Sequence, residues 1–199
     1  MTQRSEPRPA ATVLLLRDDP LRVLLVQRPT SGAFPSVLAF PGGSIDAGDG
    51  DPDDDTDARA RAAAVRETRE ETGIALPGPA ALVAWSRWIT PAAEPRRFDT
   101  HFFAVRAPEG AEPAVDGIEL VAARWAEPAE ALRRREAGDW PIIAPTAFNL
   151  ARLALSSRVD EVLAAARAQS PVIVEPDLSD GMVRIRHDAG YPVTELSLR

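Results

Sequence analysis

The chain has 199 residues, a formal net charge of −7 and a pI of about 5.0. This length suits one core, so we expect residues 1–199 to form a single domain. The acidic balance argues against a protein that binds nucleic acid polymers or an anionic membrane, because both need basic residues. There is no cysteine, which excludes disulfides and thiolate chemistry and fits a cytoplasmic location. The polar N-terminus predicts neither a signal peptide nor a spanning segment.

Apolar runs alternate with turn residues along the chain and predict both strands and helices. The mixed order of these strands and helices predicts an α+β fold. Between the first strands and the first helix, residues 46–57 contain seven Asp and two Gly without a periodic apolar face, which predicts a solvated loop. Strands are predicted over 11–16, 23–28, 37–40, 82–89, 98–105, 118–125, 172–174 and 182–186, and helices over 58–72, 127–138, 146–156 and 160–169. We expect Pro41-Gly42-Gly43 to end the third strand.

The helix predicted over 58–72 carries the most informative residues. Gly73 stands where a C-terminal glycine cap belongs, and Asp55, Thr56 or Asp57 can cap the start. The glutamates at 67, 70 and 71 are spaced i, i+3 and i+4, so they share one helix face. Three carboxylates on one face repel each other unless water or a cation screens them, and Mg²⁺ favours such oxygen ligands. A solvated glutamate face without a metal is the alternative interpretation.

Two motifs extend this pattern. Residues 66–73 match R-E-x-x-E-E-x-G, and residues 40–43 read F-P-G-G. Together they resemble the Nudix hydrolase family, whose box has the form G-x5-E-x7-R-E-U-x-E-E-x-G-U, with U a bulky aliphatic residue. The resemblance implies an α/β/α sandwich with a mixed β-sheet, and hydrolysis of a diphosphate linkage in a nucleotide-like small molecule.

The resemblance also implies roles for individual residues. Glu67, Glu70 and Glu71 would ligate Mg²⁺ or Mn²⁺, with the carbonyl oxygen of Gly43 as a further ligand. Arg66 would orient the glutamates through salt bridges. A box glutamate or a carboxylate elsewhere would deprotonate the attacking water, so the catalytic set is Glu67, Glu70 and Arg66. Distal carboxylates that could act instead are Glu119 and Asp99.

Three departures from the usual box concern its first half. Between Gly43 and Arg66 stand 22 residues, about nine more than usual, and we assign the extra residues to an acidic loop insertion over 44–57. The glutamate expected eight residues before Arg66 is replaced by Ala58, with Asp57 adjacent. The first U position holds Thr68.

Further stretches resemble a subgroup related to the peroxisomal coenzyme A diphosphatases. They are V-Q-R at 26–28, W-I-T-P at 88–91, E-P-R-R-F-D-T at 94–100, and G-Y-P at 190–192 in a C-terminal extension from about 171 to 199. Coenzyme A or an acyl-CoA is therefore the leading substrate, with Arg28, Arg96 and Arg97 as candidates for binding its phosphates. Residues 29–36 lack the further basic residue usual in a coenzyme A signature.

Several alternatives remain open at this point. ADP-ribose, NADH or a nucleoside triphosphate could be the substrate, and a non-catalytic nucleotide sensor is the alternative from another class. A homodimer is possible because many relatives form one. The tryptophans at 85 and 88 and Phe98 could stack on a base, or could belong to the core as cross-strand residues.

Overall fold

The computed structural model describes residues 6–29, 36–51, 53–115 and 117–198. Its largest element is an eight-stranded mixed sheet in the order β3-β2-β1-β6-β5-β8, with β4 paired to β1 and β7 paired to β2. These strands are β1 (Arg8–Arg17), β2 (Arg22–Gln27), β3 (Leu38–Ala39), β4 (Gly42–Ser44), β5 (Val83–Ile89), β6 (Phe98–Arg106), β7 (Ala122–Ala126) and β8 (Val172–Val174). The four helices of the described residues are α1 (Thr56–Thr72), α2 (Pro128–Glu136), α3 (Ala144–Leu153) and α4 (Val159–Arg167).

Strand β1 lies inside the sheet and is buried on both faces. Val13 and Leu15 pack on one side with α1, whereas Leu14 and Leu16 pack on the other side with the later helices. A strand covered on both faces reads as a continuous apolar run rather than an alternating one, which explains the sequence of residues 11–16. The sheet is therefore a central layer between helices, and the predicted α+β sandwich with a mixed sheet is confirmed.

Helix α1 begins and ends at local signals. The Asp55 carboxylate accepts a hydrogen bond from the Ala58 N–H at 2.8 Å, so Asp55 is the N-cap among the three predicted candidates. At the other end Gly73 adopts φ 71° and donates to the Arg69 carbonyl, a conformation that glycine adopts without strain. Alanines at 60, 63 and 64 face the sheet, and their small side chains allow α1 to approach it closely.

Two predicted strand boundaries had different outcomes. The third strand does end before Pro41-Gly42-Gly43, since β3 ends at Ala39, but pairing resumes at once because Gly42 and Gly43 form β4 opposite Thr12 and Ala11. The strand predicted over 118–125 begins only at residue 122. Gly117 has φ 76° and donates to the Leu120 carbonyl, so a turn precedes β7, and Ile118 is 78% exposed.

The C-terminal residues join the main core. Strand β8 pairs in parallel with β5, and a second, three-stranded sheet contains β9 (Asp177–Ser179), β10 (Met182–Arg184) and β11 (Glu195–Ser197). Tyr191 is buried against Trp88 and Phe148, and its hydroxyl donates to the side-chain oxygen Oδ1 of Asn149 at 3.0 Å. No helix among the described residues is long and apolar enough to cross a membrane.

Candidate functional site

Two glycines bring strand β4 against helix α1. Gly42 has φ 149°, and a Cβ there would overlap the backbone of Thr12 on the neighbouring strand β1. A Cβ on Gly43 would overlap the carboxylate of Glu67. Gly42 therefore requires glycine for its backbone conformation, whereas at Gly43 the absence of a side chain is what leaves room for the Glu67 carboxylate. The F-P-G-G motif places the Glu67 carboxylate directly over the backbone of Gly43.

Arg66 connects the acidic residues around the Glu67 carboxylate. Its Nε and Nη2 donate to the two oxygens of Asp49, each at 2.8 Å. Its Nη1 donates to Glu67 Oε1 and to Glu70 Oε2, each at 2.9 Å. A planar guanidinium with five N–H groups suits this arrangement. The structure therefore brings the predicted arginine and two of the predicted glutamates together, and adds Asp49 to them.

Asp49 was not among the predicted site residues, because residues 46–57 were all expected in a solvated loop and the first box glutamate was expected at position 58. That expectation is wrong for Asp49, which is only 4% exposed and also accepts a hydrogen bond from the Asp46 N–H. Asp57 instead pairs with Arg61 at 2.5 Å. The hydrogen bonds from Arg66 hold the pKa of Asp49 below its usual value despite burial.

A sequence signal for Asp49 existed. Counted forward from Gly43, Asp49 occupies the position of the glutamate in G-x5-E, with one methylene fewer. The extra residues therefore follow Asp49 rather than beginning at residue 44. Counting backward from Arg66 hid this match, because the insertion lies between the two halves of the motif.

Thr68 explains the third departure from the box. Its side chain is fully buried, and its hydroxyl donates to the Ala64 carbonyl one turn earlier at 2.7 Å. Since the hydroxyl is satisfied within the helix, threonine can occupy a buried position where an aliphatic residue is usual.

Glu71 is the buried glutamate among the three predicted metal ligands. It is 7% exposed, and its Oε2 accepts a hydrogen bond from the Gly42 N–H at 2.8 Å. Arg28 Nη2 lies 3.7 Å from Glu71 Oε1 and donates to the Gly42 carbonyl at 3.3 Å. Burial raises the pKa of Glu71 to about 7, although the Gly42 N–H and Arg28 both oppose the shift. Burial also raises the pKa of Glu67.

The three predicted metal ligands share one face but are not gathered around one point. Within the described part of the chain, no group of three Asp, Glu, His or Cys side chains is arranged to hold a metal ion. Glu70 is exposed and turned toward Arg66, whereas Glu71 is turned toward Gly42. The two carboxylates repel each other, and each is turned toward its own nitrogen donor. The donor set of carboxylate and carbonyl oxygens nevertheless fits Mg²⁺ or Mn²⁺ in its chemistry.

Of the three predicted phosphate-binding arginines, Arg28 has described contacts with this cluster. Arg97 donates to the Thr90 carbonyl at 3.0 Å and lies 3.8 Å from Glu175. Arg96 is exposed. The structure therefore places Arg28 beside the glutamates, and engages Arg97 with the β5–β6 connection and the C-terminal residues.

The two candidate distal carboxylates differ in their surroundings. Asp99 forms a two-point salt bridge with Arg87 at 2.7 and 2.5 Å, which lowers the pKa of Asp99. Glu119 is exposed on the turn before β7, and its negative charge contributes to the raised pKa of Glu71. Glu119 is therefore the distal carboxylate whose charge acts on the cluster.

The core interpretation of the two tryptophans is confirmed. Trp85 and Trp88 are each 3% exposed. The Trp85 indole N–H donates to the side-chain oxygen Oδ1 of Asn149 at 2.7 Å, and the Trp88 indole N–H donates to the Tyr191 hydroxyl at 3.1 Å. Neither ring is available for stacking on a base.

The sequence model of the NUDIX domain matches residues 6–145, which include the glycine pair, Asp49 and helix α1. The chain belongs to the Nudix family. It is therefore a hydrolase of a family that acts on pyrophosphate bonds in nucleoside diphosphate derivatives, generally with divalent metal ions.

Individual Nudix proteins support the assignment. A Caenorhabditis elegans protein provisionally assigned as nudix hydrolase 7 is 29% identical over 85% of this chain and 68% of its own length. The crystal structure of a NUDIX hydrolase from Alicyclobacillus acidocaldarius has a TM-score of 0.73 and 27% identity, and covers 81% of this chain and 97% of that one. An Ap4A hydrolase from Caenorhabditis elegans, in a binary complex, has 17% identity and a TM-score of 0.51 over 81% of this chain and 98% of that one, and is similar in fold alone.

Proposed function

We propose that this Nudix hydrolase is a Mg²⁺- or Mn²⁺-dependent diphosphatase of coenzyme A or an acyl-CoA. The observation that carries the metal-dependent part is the Arg66 guanidinium, which joins Asp49, Glu67 and Glu70 on one side of α1. This arrangement restrains carboxylates that would otherwise repel one another. In the proposal Glu67, Glu70 and Glu71 hold the cation together with the carbonyl oxygen of Gly43.

The proposed reaction is displacement by water at one phosphorus of the diphosphate. The water oxygen forms a bond to phosphorus, the bridging P–O bond breaks, and two phosphate monoesters leave. A divalent ion bound at this site would neutralise phosphate oxygens and lower the pKa of a water molecule. Glu67 is the proposed base, because Arg66 Nη1 holds one oxygen of its carboxylate and the carboxylate lies directly over the backbone of Gly43. Glu119 is the alternative base.

Arg66 acts on Glu67 in this proposal rather than on the substrate. Its bond to Glu67 Oε1 fixes one oxygen of the carboxylate, and Asp49 fixes Arg66 in turn. Small displacements of a catalytic group reduce rates strongly. Arg66 and Asp49 therefore contribute through orientation.

The coenzyme A proposal rests on the sequence stretches around V-Q-R and E-P-R-R-F-D-T, whereas the position of Arg28 supports binding of a diphosphate in general. The Arg28 side chain is 38% exposed beside Glu71, so a diphosphate at the cluster would be within reach of a guanidinium. Arg96, which is exposed, is the proposed partner of a more distant phosphate, and Arg97 a weaker one because it is already engaged. The competing substrates are ADP-ribose, NADH and nucleoside triphosphates.

The test is a product-release assay on a panel of coenzyme A, acetyl-CoA, ADP-ribose, NADH and dNTPs, with Mg²⁺ or Mn²⁺. We expect metal-dependent cleavage of the coenzyme A compounds, reduced about 100-fold or more in Glu67→Gln. Glu136→Gln is the matched control, since this glutamate is exposed on α2, and it should retain full activity.

The panel also separates the alternatives. Preferential cleavage of another compound would support the proposed hydrolase activity but would show that coenzyme A is not the substrate. Folded protein that cleaves nothing, but whose Tm rises with one of these nucleotides, would indicate a sensor.

We further propose that residues 1–199 act as one domain, in a cytoplasmic homodimer. The shared core of Tyr191, Trp88 and Phe148 supports the single domain. One cooperative unfolding transition and a dimer mass by light scattering are the expected results.

A further inference from the structure

Arg28, Gly42 and Glu71 form a closed ring of polar contacts. Arg28 Nη2 donates to the Gly42 carbonyl at 3.3 Å and lies 3.7 Å from Glu71 Oε1. The Gly42 N–H donates to Glu71 Oε2 at 2.8 Å. Both carboxylate oxygens of Glu71 and the carbonyl oxygen of Gly42 are therefore turned toward groups of the protein itself.

This ring solves an electrostatic problem. Glu71 is 7% exposed and stands one turn from Glu67, and a buried carboxylate is costly unless a cation or donors accompany it. Arg28 supplies the positive charge, yet 38% of its side chain is exposed. A partly exposed guanidinium on a long, flexible stem can leave one partner for another at modest cost, whereas a fully enclosed one cannot.

Arg28 therefore stands next to the carboxylate oxygens of Glu71, one of the residues that the proposed function assigns to a divalent cation. Two cations that share these oxygens repel each other and compete for the same lone pairs. A bound divalent ion would itself neutralise Glu71 and remove the need for Arg28 there. The nearest new anion for the released guanidinium would be the diphosphate of a substrate, which it can bind with two N–H groups.

We propose that Arg28 is a positioning residue that holds Glu71 and the Gly42 carbonyl before the divalent cation binds, and that moves to diphosphate oxygens afterwards. The inference rests on the proposed function and deepens it, because Arg28 then couples cation binding to diphosphate binding. Coupling of this kind is reciprocal: the diphosphate increases cation affinity, and Arg28 alone decreases it.

The test measures binding rather than turnover. Mn²⁺ is titrated by calorimetry into wild-type protein, Arg28→Gln, Arg28→Lys and Arg69→Gln, without substrate. Arg69 is exposed on the same helix as the glutamates, so its variant controls for loss of one nearby positive charge. Methylenediphosphonate is then titrated at saturating Mn²⁺ as a diphosphate that cannot be hydrolysed.

We expect Arg28→Gln to bind Mn²⁺ about three- to tenfold more tightly than wild type, because a competing cation is gone. The same variant should bind methylenediphosphonate about tenfold more weakly. Arg28→Lys should stay near wild type for Mn²⁺, and Arg69→Gln should change both constants less than about twofold. An increase in Mn²⁺ affinity together with a decrease in methylenediphosphonate affinity is not expected of a purely structural arginine, because its loss would weaken both affinities.

Weaker or unchanged Mn²⁺ binding by folded Arg28→Gln would overturn the inference while wild type still bound Mn²⁺. Circular dichroism and thermal unfolding establish that the variant is folded. Absence of Mn²⁺ binding by wild-type protein, or full retention in Glu67→Gln, would instead overturn the proposed metal site. The two failures are therefore distinguishable.

Discussion

Asp49→Asn is the substitution that most directly tests the structure of this site. The change keeps the shape of the side chain and removes its negative charge. Arg66 would lose a two-point ionic contact with distances of 2.8 Å, and the amide would place an N–H₂ group against one guanidinium nitrogen. Because the same guanidinium holds Glu67 and Glu70, the effect should reach both the stability of the fold and the geometry of the site.

The magnitude follows from the burial of the two partners. Removing one partner of a buried ion pair costs about 3–5 kcal/mol. Asp49 is 4% exposed but the Arg66 side chain is 29% exposed and retains two glutamates, so water and these carboxylates offset part of the loss. We expect a decrease in unfolding free energy of about 2 kcal/mol, or about 4–8 °C in Tm for a chain of this size. Turnover should fall about 10- to 100-fold through displacement of Glu67.

The assay compares urea unfolding and turnover of Asp49→Asn, Asp49→Glu and Asp53→Asn. Asp53 is an exposed aspartate of the same loop, so its variant should match wild type. Asp49→Glu restores the charge and should recover most of the stability. The pKa of Asp49 is lowered in the folded state, so its stabilising contribution is present above the unfolded pKa and is lost as pH falls through the lowered value. Equal stability of Asp49→Asn and Asp53→Asn at pH 7 would refute this reasoning.

Three further predictions concern other parts of the chain. Burial raises the pKa of Glu71 to about 7, so the folded wild-type protein holds this proton more tightly than the unfolded chain and loses stability as pH rises toward that value. Glu71→Gln, measured in EDTA, should therefore gain up to about 3 kcal/mol in unfolding free energy relative to wild type between pH 5 and pH 8. A difference that stays constant with pH would contradict this effect of burial. Gly43→Ala should displace the flexible end of Glu67, which lowers turnover about tenfold or more but changes unfolding free energy by less than about 1 kcal/mol; a large stability loss with normal turnover would show that the backbone moves instead. Tyr191→Phe leaves the buried Trp88 indole N–H without its acceptor, and should cost about 1–2 kcal/mol in urea unfolding, whereas no loss would show that the C-terminal residues contribute little to the core.

The helix that carries the chemistry could be predicted from local residues alone. The spacing of Glu67, Glu70 and Glu71, the cap at Asp55 and the glycine at 73 are all signals within one helix or its ends. Such signals act between residues a few positions apart, where backbone geometry fixes the distances. The family could be recognised for the same reason, because its box is written in contiguous residues.

Other features depend on contacts between residues far apart in the chain and could not be predicted from local pattern. Asp49 meets Arg66 because β4 and α1 pack together, although an insertion separates the two residues. Arg28 meets Glu71 because β2 delivers it beside β4, and Tyr191 meets Trp88 across most of the chain. A charged residue in an acidic loop can be solvated or buried. It is buried only where the folded chain places a residue of opposite charge in contact with it. The local sequence pattern therefore determines which residues share a face of α1. The packing of distant strands determines which side chains, such as Asp49 and Arg28, hold those residues in place.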